Sequence, residues 1–295
     1  MDISELDYSL KLKLKQTFKF CIEFFKEHGI NWYAAGGTVL GAVRHKDIIP
    51  WDDDIDIMVP RKDYNKLLDL ASTLYGTSYS IASTRNFGYY LGAAKIVDET
   101  TTLWEAPRFR YPLGVFVDIF PIDQFDYEIE QYSTLLKEHL EVFEKYARSI
   151  SKPGIKDFMF YAKTKHPNAL LDLFKGCLYS SKKAEELYKS FLGIDGIFDQ
   201  GKGRYVASPF GAYGCKEYFP AEYFDTYEEL PFGDLEIRVP GMYKEYLGKM
   251  YGNYMELPPI EKRKSHHELY YLNLKERISL EEAQKRINSG ESIVY

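Results

Sequence analysis

Apolar residues recur at steps of three and four over the first thirty positions. One helical face carries Leu6, Leu10, Leu14, Phe18, Ile22 and Phe25, and Gly29 follows the last of them. This spacing is typical of an amphipathic helix, and glycine commonly ends one. The pattern therefore predicts a helix from about Glu5 to His28 with one face buried in a core.

A short apolar run leads into two adjacent glycines. Residues 32–35 are apolar, Gly36 and Gly37 follow, and Thr38 precedes an apolar stretch that ends near Arg44. A threonine can cap a helix through its hydroxyl, whereas paired glycines favour a turn. We therefore predict a strand, a glycine turn and a helix from Thr38 to Arg44.

Acidic and aliphatic residues alternate between positions 54 and 59. On a strand, this order places Asp54 and Asp56 on one face and the aliphatic residues on the other. Asp53 then falls on the face opposite Asp54 and is expected to face solvent. Pro60 is predicted to end the strand.

Further patterns give the remaining elements. A helix is predicted over 62–74 and strands over 78–82, 89–97 and 115–120, the last of them closed by Pro121. The pattern from 127 to 198 is helical. Strands are predicted over 205–208 and 235–239, a helix over 242–251, and a final helix opened by Ser279 with Glu282 three residues on. We interpret 1–295 as one domain, with a core at 1–125, a helical insertion at 126–200 and C-terminal strands and helices at 201–295.

The composition is that of a globular protein with an acidic balance. Of 295 residues, 45% are hydrophobic and 28% are charged, and the formal net charge is -6. Binding to a phosphate backbone relies on clustered lysine and arginine, so nucleic acid is not the expected partner. The N-terminus lacks a signal-peptide core, and no run approaches the roughly 20 apolar residues that span a bilayer. We expect a cytoplasmic protein with at most peripheral contact with the inner face of a membrane.

Four aspartates, Asp52, Asp53, Asp54 and Asp56, lie within five positions. Such close carboxylates repel one another unless they are solvated, protonated or neutralised by a cation. Carboxylates two apart on a strand point the same way and could hold Mg²⁺ or Mn²⁺ together with phosphate oxygens. A solvated acidic turn is the alternative interpretation. An EF-hand does not fit, because the loop has no glycine at its sixth position.

Two further features favour a functional site. The backbone at Gly36 and Gly37 can approach a phosphate closely, and the helix expected at Thr38 would direct free amide groups towards it. Asp118 stands among aliphatic and aromatic residues on the strand predicted at 115–120, where an unpaired charge is costly. An ordinary tight turn and a strand-end aspartate facing solvent are the respective alternatives.

Longer runs of the sequence resemble those of a known family. The signature of the LicD family is similar to the run Gly36-Gly37-Thr38-Val39-Leu40-Gly41-Ala42-Val43-Arg44-His45 followed by Ile49-Pro50-Trp51-Asp52-Asp53-Asp54-Ile55-Asp56. Residues 117–123, 251–255, 258–259, 263 and 266–267 also resemble family motifs. The family comprises bacterial phosphocholine transferases and relatives that include the fukutin-type ribitol-phosphate transferases. The resemblance touches both ends of the chain but not residues 127–198.

The resemblance implies an α+β fold with a nucleotidyltransferase-type mixed sheet, flanked by helices and carrying the helical insertion. It implies that Asp54, Asp56 and Asp118 are catalytic carboxylates and metal ligands, with Mg²⁺ or Mn²⁺ as the cofactor. Asp52 is a further candidate ligand. The candidate donor-binding residues are Gly36, Gly37, Thr38, Arg44, Lys95, Arg263 and His266. For Lys95, Arg263 and His266, an ordinary charged surface role is the alternative.

Family members of this kind move a phosphate ester from a CDP-linked donor to a glycan hydroxyl and release CMP. The resemblance therefore implies CDP-choline or another CDP-alcohol as donor, and a cell-surface glycan or its lipid-linked precursor as acceptor. The 26 tyrosines and 19 phenylalanines are compatible with an aromatic cage for choline. One alternative is a nucleotidyltransferase that modifies a small molecule such as an aminoglycoside and releases pyrophosphate. Another is an inactive glycan-binding relative, although all three carboxylates are present.

Overall fold

A computed structural model of the protein describes residues 3–105, 109–151, 153–155, 158–159, 162, 167–264, 270–291 and 293–294. The α-helices in these ranges are α1 (Ile3–His28), α2 (Gly36–Arg44), α3 (Arg61–Asp69), α4 (Ile129–Ile150), α5 (Pro167–Gly176), α6 (Ser181–Leu192), α7 (Tyr243–Tyr251) and α8 (Leu280–Asn288). Short 3-10 helices cover Leu70–Leu74, Gly214–Glu217, Ala221–Phe224 and Ile260–Lys262. Within the described ranges, no helix is both long and apolar enough to cross a bilayer.

The strands are β1 (Tyr33–Ala34), β2 (Asp56–Pro60), β3 (Tyr79–Ala82), β4 (Ala94–Asp98), β5 (Thr102–Trp104), β6 (Phe116–Phe125), β7 (Tyr205–Ala207), β8 (Tyr218–Pro220), β9 (Tyr227–Phe232), β10 (Leu235–Pro240), β11 (Tyr271–Asn273) and β12 (Ile293–Val294). Seven of them form one sheet in the order β1-β2-β6-β4-β3, with β7 and β8 continuing from the far end of β6. The pair β2–β6 is parallel and the other neighbours are antiparallel. The mixed α+β class is therefore confirmed.

Helix α1 covers one face of this sheet. Its Phe18 and Phe25 are fully buried, and Phe20 stacks on Tyr79 of β3 with 3.9 Å between ring centroids. The helix ends where the periodicity predicted, at Gly29, whose φ of 57° is the left-handed conformation that glycine adopts without strain. Helix α1 does not cover the opposite face of the sheet.

Three details of the strand and helix predictions are wrong. Helix α2 begins at Gly36, so the two glycines form its first turn, and Thr38 does not cap it. The Thr38 hydroxyl instead accepts a hydrogen bond from the Asp56 amide at 2.9 Å. Strand β4 begins at Ala94 rather than at Tyr89, and β2 begins at Asp56, so Asp54 precedes the strand.

Pro121 was predicted to end a strand, yet it lies inside the ten-residue β6. Because the Asp118 amide donates to β2 at Ile55, strand alternation turns the nitrogen of Pro121 to the other edge of β6. On that edge, pairing with β4 ends at Ile119 and pairing with β7 begins at Asp123. No ladder hydrogen bond is lost, and proline is therefore tolerated there.

The elements predicted for the C-terminal part agree more closely with the structure. Strands β7 and β10 and helix α7 lie within two residues of their predicted bounds. Helix α8 is capped as its sequence predicted, because the Ser279 hydroxyl accepts a hydrogen bond from the Glu282 amide at 3.2 Å.

The segment that follows α6 connects to the sheet through an ion-pair network around Arg61. Arg61, at the start of α3, donates to both carboxylate oxygens of Asp123 at 2.6 and 3.2 Å and to Asp195 at 3.1 Å. Burial alone would lower the pKa of Arg61, but Asp123 and Asp195 outweigh this effect and raise it. The guanidinium therefore stays charged and links three separate segments.

Helices α4, α5 and α6 pack together as a helical unit, and His139 lies in an apolar part of it. The ring is buried on α4 and contacts Phe191, Phe198 and Phe210 at 5.2 to 5.7 Å between centroids. Neither ring nitrogen has a hydrogen-bond partner among the described residues. Burial lowers the pKa of His139 from 6.5 to about 4, with Arg61 acting in the same direction and Asp195 against it.

We expect His139 to make the fold sensitive to acid. Below pH 6.5 the unfolded chain binds a proton that the folded chain rejects until about pH 4, so stability falls across that window. Urea unfolding at pH 7, 5.5 and 4 measures this loss of stability. Between pH 7 and pH 4, the free energy of unfolding of His139→Leu should fall by about 3 kcal/mol less than that of wild type. The half-buried His28 provides the control, as His28→Leu. Parallel stability curves for wild type and His139→Leu would show that His139 does not titrate in this way.

Candidate active site on the open face of the sheet

Three charged side chains lie in one row across the centre of the sheet. Asp56 of β2 pairs with Asp118 of β6, and Asp118 pairs with Lys95 of β4. Paired residues of neighbouring strands point to the same face. Asp98, three positions after Lys95, points to the opposite face and contacts Lys13 of α1 at 3.5 Å. The row therefore projects from the face that α1 does not cover.

Lys95 forms an ion pair with Asp118. The Nζ and Oδ1 atoms are 2.5 Å apart, and Nζ also lies 3.3 Å from the centroid of the Phe116 ring. Lys95 is buried and the Asp118 side chain is only 14% exposed, so solvent screens this pair weakly. The structure thus places Lys95 against a carboxylate; its predicted contact with a donor phosphate stays a prediction.

Asp56 is surrounded by like charges. Burial raises the pKa of Asp56 well above the usual range of aspartate, and the neighbouring Asp54 and Asp118 raise it further. Asp52 adds to the effect and Lys95 acts against it. An added cation would favour the ionised form of Asp56.

A second acidic group precedes β2. One oxygen from each of Asp52, Asp53 and Asp54 lies within 4.8 Å of the others. The expectation that Asp53 faces solvent is wrong: Asp53 is half-buried, and strand alternation does not apply because β2 begins later, at Asp56. Asp56 and Asp118 lie beside this close-set group but are not part of it.

The two glycines of α2 make room for the carboxylates. A Cβ added to Gly37 would lie 2.8 Å from Oδ2 of Asp52, and one added to Gly36 would lie 3.6 Å from Oδ2 of Asp56. Gly36 also has a φ of 45°, which strongly favours glycine. With the Thr38 hydroxyl bonded to the Asp56 amide, the start of α2 fixes the position of the acidic residues.

Two arginines face one tryptophan next to the acidic residues. The guanidinium groups of Arg44 and Arg263 lie 5.9 and 5.4 Å from the ring of Trp51. Arg44 donates to the carbonyls of Tyr254 and Glu256 at 2.9 and 3.1 Å. Burial lowers the pKa of Arg44, and the nearby positive charge of Arg263 lowers it further. Two cations held this close favour an anion between them.

The C-terminal segment thus reaches the site through Arg44. Arg263 is held by a hydrogen bond of 2.8 Å to the Pro258 carbonyl. His266, the remaining predicted donor contact, lies outside the described residues.

A group of tyrosines closes the other side of Gly36. The Gly36 amide donates to the Tyr246 hydroxyl at 2.8 Å, and a Cβ at Gly36 would lie 3.5 Å from the Tyr251 hydroxyl. Tyr251 shares a hydrogen bond with Tyr213, whose ring packs edge-on against it at 6.2 Å. Burial raises the pKa of both Tyr246 and Tyr251, so both hydroxyls stay protonated.

A buried carboxylate lies behind these rings. Glu217 accepts a hydrogen bond from the Tyr213 amide at 2.8 Å, and burial raises its pKa. Sequence patterns missed Glu217, because it lies in a short 3-10 helix without hydrophobic periodicity. They also missed the contact of Tyr246 with Gly36, which joins positions 210 residues apart.

The protein thus has an α+β fold whose mixed sheet carries an acidic row on one face. A pair of arginines and a group of tyrosines lie near this row. The family model described as LicD/FKTN/FKRP, nucleotidyltransferase domain, matches residues 29–160. That range includes the glycine pair, the aspartates Asp52, Asp53, Asp54, Asp56 and Asp118, and Lys95.

The chain is 30% identical over 268 residues to the lipopolysaccharide cholinephosphotransferase LicD of Haemophilus influenzae, and the alignment covers 87% of this chain and 97% of that protein. The chain belongs to the LicD family. A shorter stretch is 32% identical over 74 residues to the ribitol 5-phosphate transferase FKRP of Homo sapiens and of Mus musculus, covering 25% of this chain and 14% of those proteins.

The Lys95–Asp118 pair is expected to support the fold as well as the site. In Lys95→Met, Asp118 loses its cation in a weakly solvated position, and the free energy of unfolding should fall by about 3 kcal/mol. Urea denaturation measures the change. The exposed Lys62 supplies the matched control, Lys62→Met.

The double variant Lys95→Met/Asp118→Asn identifies the cause of that loss. If the unpaired carboxylate is responsible, the double variant recovers stability relative to Lys95→Met. A double variant that is less stable still would contradict this explanation.

Proposed function

We propose that the protein transfers phosphocholine, or a similar phospho-alcohol, from a CDP-linked donor to a hydroxyl of a cell-surface glycan or its precursor, with release of CMP. The observation that carries the proposal is the acidic row at Asp56 and Asp118 beside the arginine pair Arg44 and Arg263. The two named relatives, a cholinephosphotransferase and a ribitol 5-phosphate transferase, support the reaction class. The nucleotidyltransferase-type character of the fold is part of this proposal.

The donor set fits a hard divalent cation. Carboxylate oxygens are the ligands that Mg²⁺ and Mn²⁺ prefer, and the neighbouring carboxylates of Asp54 and Asp118 raise the pKa of Asp56. We assign Asp54, Asp56 and Asp118 as the residues that would hold the ion, with Asp52 as a further ligand. Among the described residues, the three carboxylates whose oxygens lie within 4.8 Å of one another are those of Asp52, Asp53 and Asp54, so Asp56 and Asp118 would have to draw closer to share the ion. When bound, the ion supplies charge neutralisation for the diphosphate and for the departing CMP oxygen.

The arginines would bind the donor diphosphate. The guanidinium groups of Arg44 and Arg263 both lie near the ring of Trp51. Burial and the positive charge of Arg263 lower the pKa of Arg44. An anion between the two guanidinium groups relieves that repulsion. Gly36 and Gly37 place no side chain of their own against Asp52 and Asp56.

The transfer itself exchanges one P–O bond for another. The acceptor hydroxyl oxygen attacks the phosphorus of the alcohol phosphate, and the bond from that phosphorus to the CMP oxygen breaks, with the electron pair leaving on CMP. Asp118 accepts the proton of the hydroxyl. Lys95, at 2.5 Å from Asp118, holds that carboxylate towards the open face.

The tyrosine group is the proposed contact for the transferred alcohol. Tyr213 is 51% exposed and stands edge-on to Tyr251, with the carboxylate of Glu217 behind them. Aromatic faces attract a quaternary ammonium group. The arrangement favours choline over glycerol or ribitol, which need several hydrogen-bond partners.

Removing one carboxylate charge should abolish the reaction. With Mg²⁺ present, wild-type protein should release CMP from CDP-choline in the presence of a glycan acceptor, and Asp56→Asn should lower the rate by about a thousandfold. The amide keeps the shape of the side chain, so the loss reports on charge. Asp69→Asn, at a side chain that is 71% exposed, is the control.

Two results would refute the proposed reaction. One is turnover in Asp56→Asn equal to that of Asp69→Asn. The other is release of pyrophosphate from a nucleoside triphosphate with an aminoglycoside acceptor, without CMP release from any of CDP-choline, CDP-ethanolamine, CDP-glycerol and CDP-ribitol, which would establish the alternative nucleotidyltransferase.

Tyr213 should select the alcohol. In Tyr213→Ala, kcat/KM for CDP-choline should fall by about fivefold because one aromatic face is lost, and kcat/KM for CDP-glycerol should not change. Tyr75→Ala, at another exposed tyrosine, is the control. An equal loss for both donors in Tyr213→Ala would mean that the ring does not contact the alcohol.

A further inference from the structure

Helix α5 is apolar on two sides. Leu173 is buried on the side that packs into the helical unit. On another side, Leu171 and Phe174 are 54% and 62% exposed, and Leu178, two residues beyond the end of the helix, is 84% exposed. Apolar residues on a helix are normally covered by packing against another element. Of these two sides, the described residues cover only that of Leu173.

Neighbouring residues extend this exposed surface. Ile155 and Met159 are also exposed, and the ring of Phe158 contacts that of Phe174 at 4.8 Å. We call the surface formed by Ile155, Met159, Leu171, Phe174 and Leu178 the α5 patch. Contiguous exposed apolar surface of this kind marks a site of contact with a protein or a membrane.

The surroundings of the α5 patch are basic, although the protein is acidic. Lys175, Lys182 and Lys183 are exposed next to it, and Lys183 also pairs with Glu186 at 3.2 Å. Between positions 151 and 183 the sequence has seven lysines and two aspartates, whereas the whole chain has a net charge of -6. Among the described residues of this stretch, Lys175, Lys182 and Lys183 carry exposed positive charge.

We propose that the α5 patch docks on the surface of an anionic lipid bilayer. Apolar side chains enter the boundary between headgroups and acyl chains, while lysines remain at the lipid phosphates. A second copy of the chain is a poorer partner, because a two-fold symmetric contact would bring the same lysines together. The proposal does not depend on the proposed reaction.

Vesicle sedimentation tests the docking. Wild-type protein should bind vesicles of equal parts phosphatidylcholine and phosphatidylglycerol, and bind pure phosphatidylcholine vesicles more weakly. Phe174→Ser/Leu178→Ser should weaken binding to the mixed vesicles by at least about tenfold. Lys175→Gln and Lys182→Gln should each weaken it by about fivefold. Circular dichroism establishes that the variants fold.

The matched control lies on α1. Tyr8 and Leu12 are 70% and 45% exposed and line a groove with Lys11 and Lys15, so Tyr8→Ser/Leu12→Ser removes a similar pair of side chains beside lysines. This variant should bind like wild type. Loss of binding only in the α1 variant would move the contact to α1 and overturn the assignment.

A label on Cys177 gives a second readout. Cys177 is exposed beside Leu178, whereas Cys21 is buried, so in Cys215→Ser an environment-sensitive fluorophore reacts at Cys177. Its emission should shift to the blue when mixed vesicles are added. No shift and no sedimentation of wild type would refute the proposal. A dimer in analytical ultracentrifugation that Phe174→Ser/Leu178→Ser dissociates would assign the patch to a second copy instead.

Discussion

The register of β2, β6 and β4 fixes the arrangement on which the site depends. Asp56 and Asp118 are direct partners in a parallel pair, so their carboxylates are held side by side although like charges repel. Lys95, the partner of Asp118 on the other side, offsets part of the repulsion. The backbone ladder therefore imposes a charge arrangement that the side chains alone would not adopt, and the proposed divalent cation site depends on it.

The remaining parts of the site adjust to that row. Gly36 and Gly37 lack the atoms that would collide with Asp52 or crowd Asp56, and the Thr38 hydroxyl anchors the first residue of β2. Arg44, at the end of the same helix, holds the segment at Tyr254 and Glu256 through two carbonyls. Helix α2 thus joins the acidic row at its first turn to the C-terminal segment at its last.

Sequence patterns predicted the helices and strands that bury one face. They missed the contacts between residues that are far apart in the sequence. The periodicity of α1 and the serine cap of α8 are local features, and both are confirmed. Alternation predicted the face of Asp56, but it failed for Asp53, which precedes the strand in the irregular acidic group. Lys95 was one of several candidate phosphate contacts, and only the sheet register shows that it pairs with Asp118. The metal and donor roles of these residues stay predictions.

Close contacts connect the helical unit to the sheet that carries the site. They would therefore fix how the acidic row is oriented relative to a membrane bound at the α5 patch. Arg61 ties α3, which directly follows β2, to Asp123 of β6 and to Asp195 beyond α6. The ring of Phe210 lies so close to Gly92 that no side chain fits at that glycine, and Phe210 also contacts His139 on α4. The Arg61–Asp123 pair is buried and Phe210 packs closely on Gly92, so motion between the helices and the sheet would cost the free energy of breaking these contacts. A membrane held at the α5 patch would therefore meet the acidic row in one fixed orientation, without the search through orientations that a flexible linker would permit.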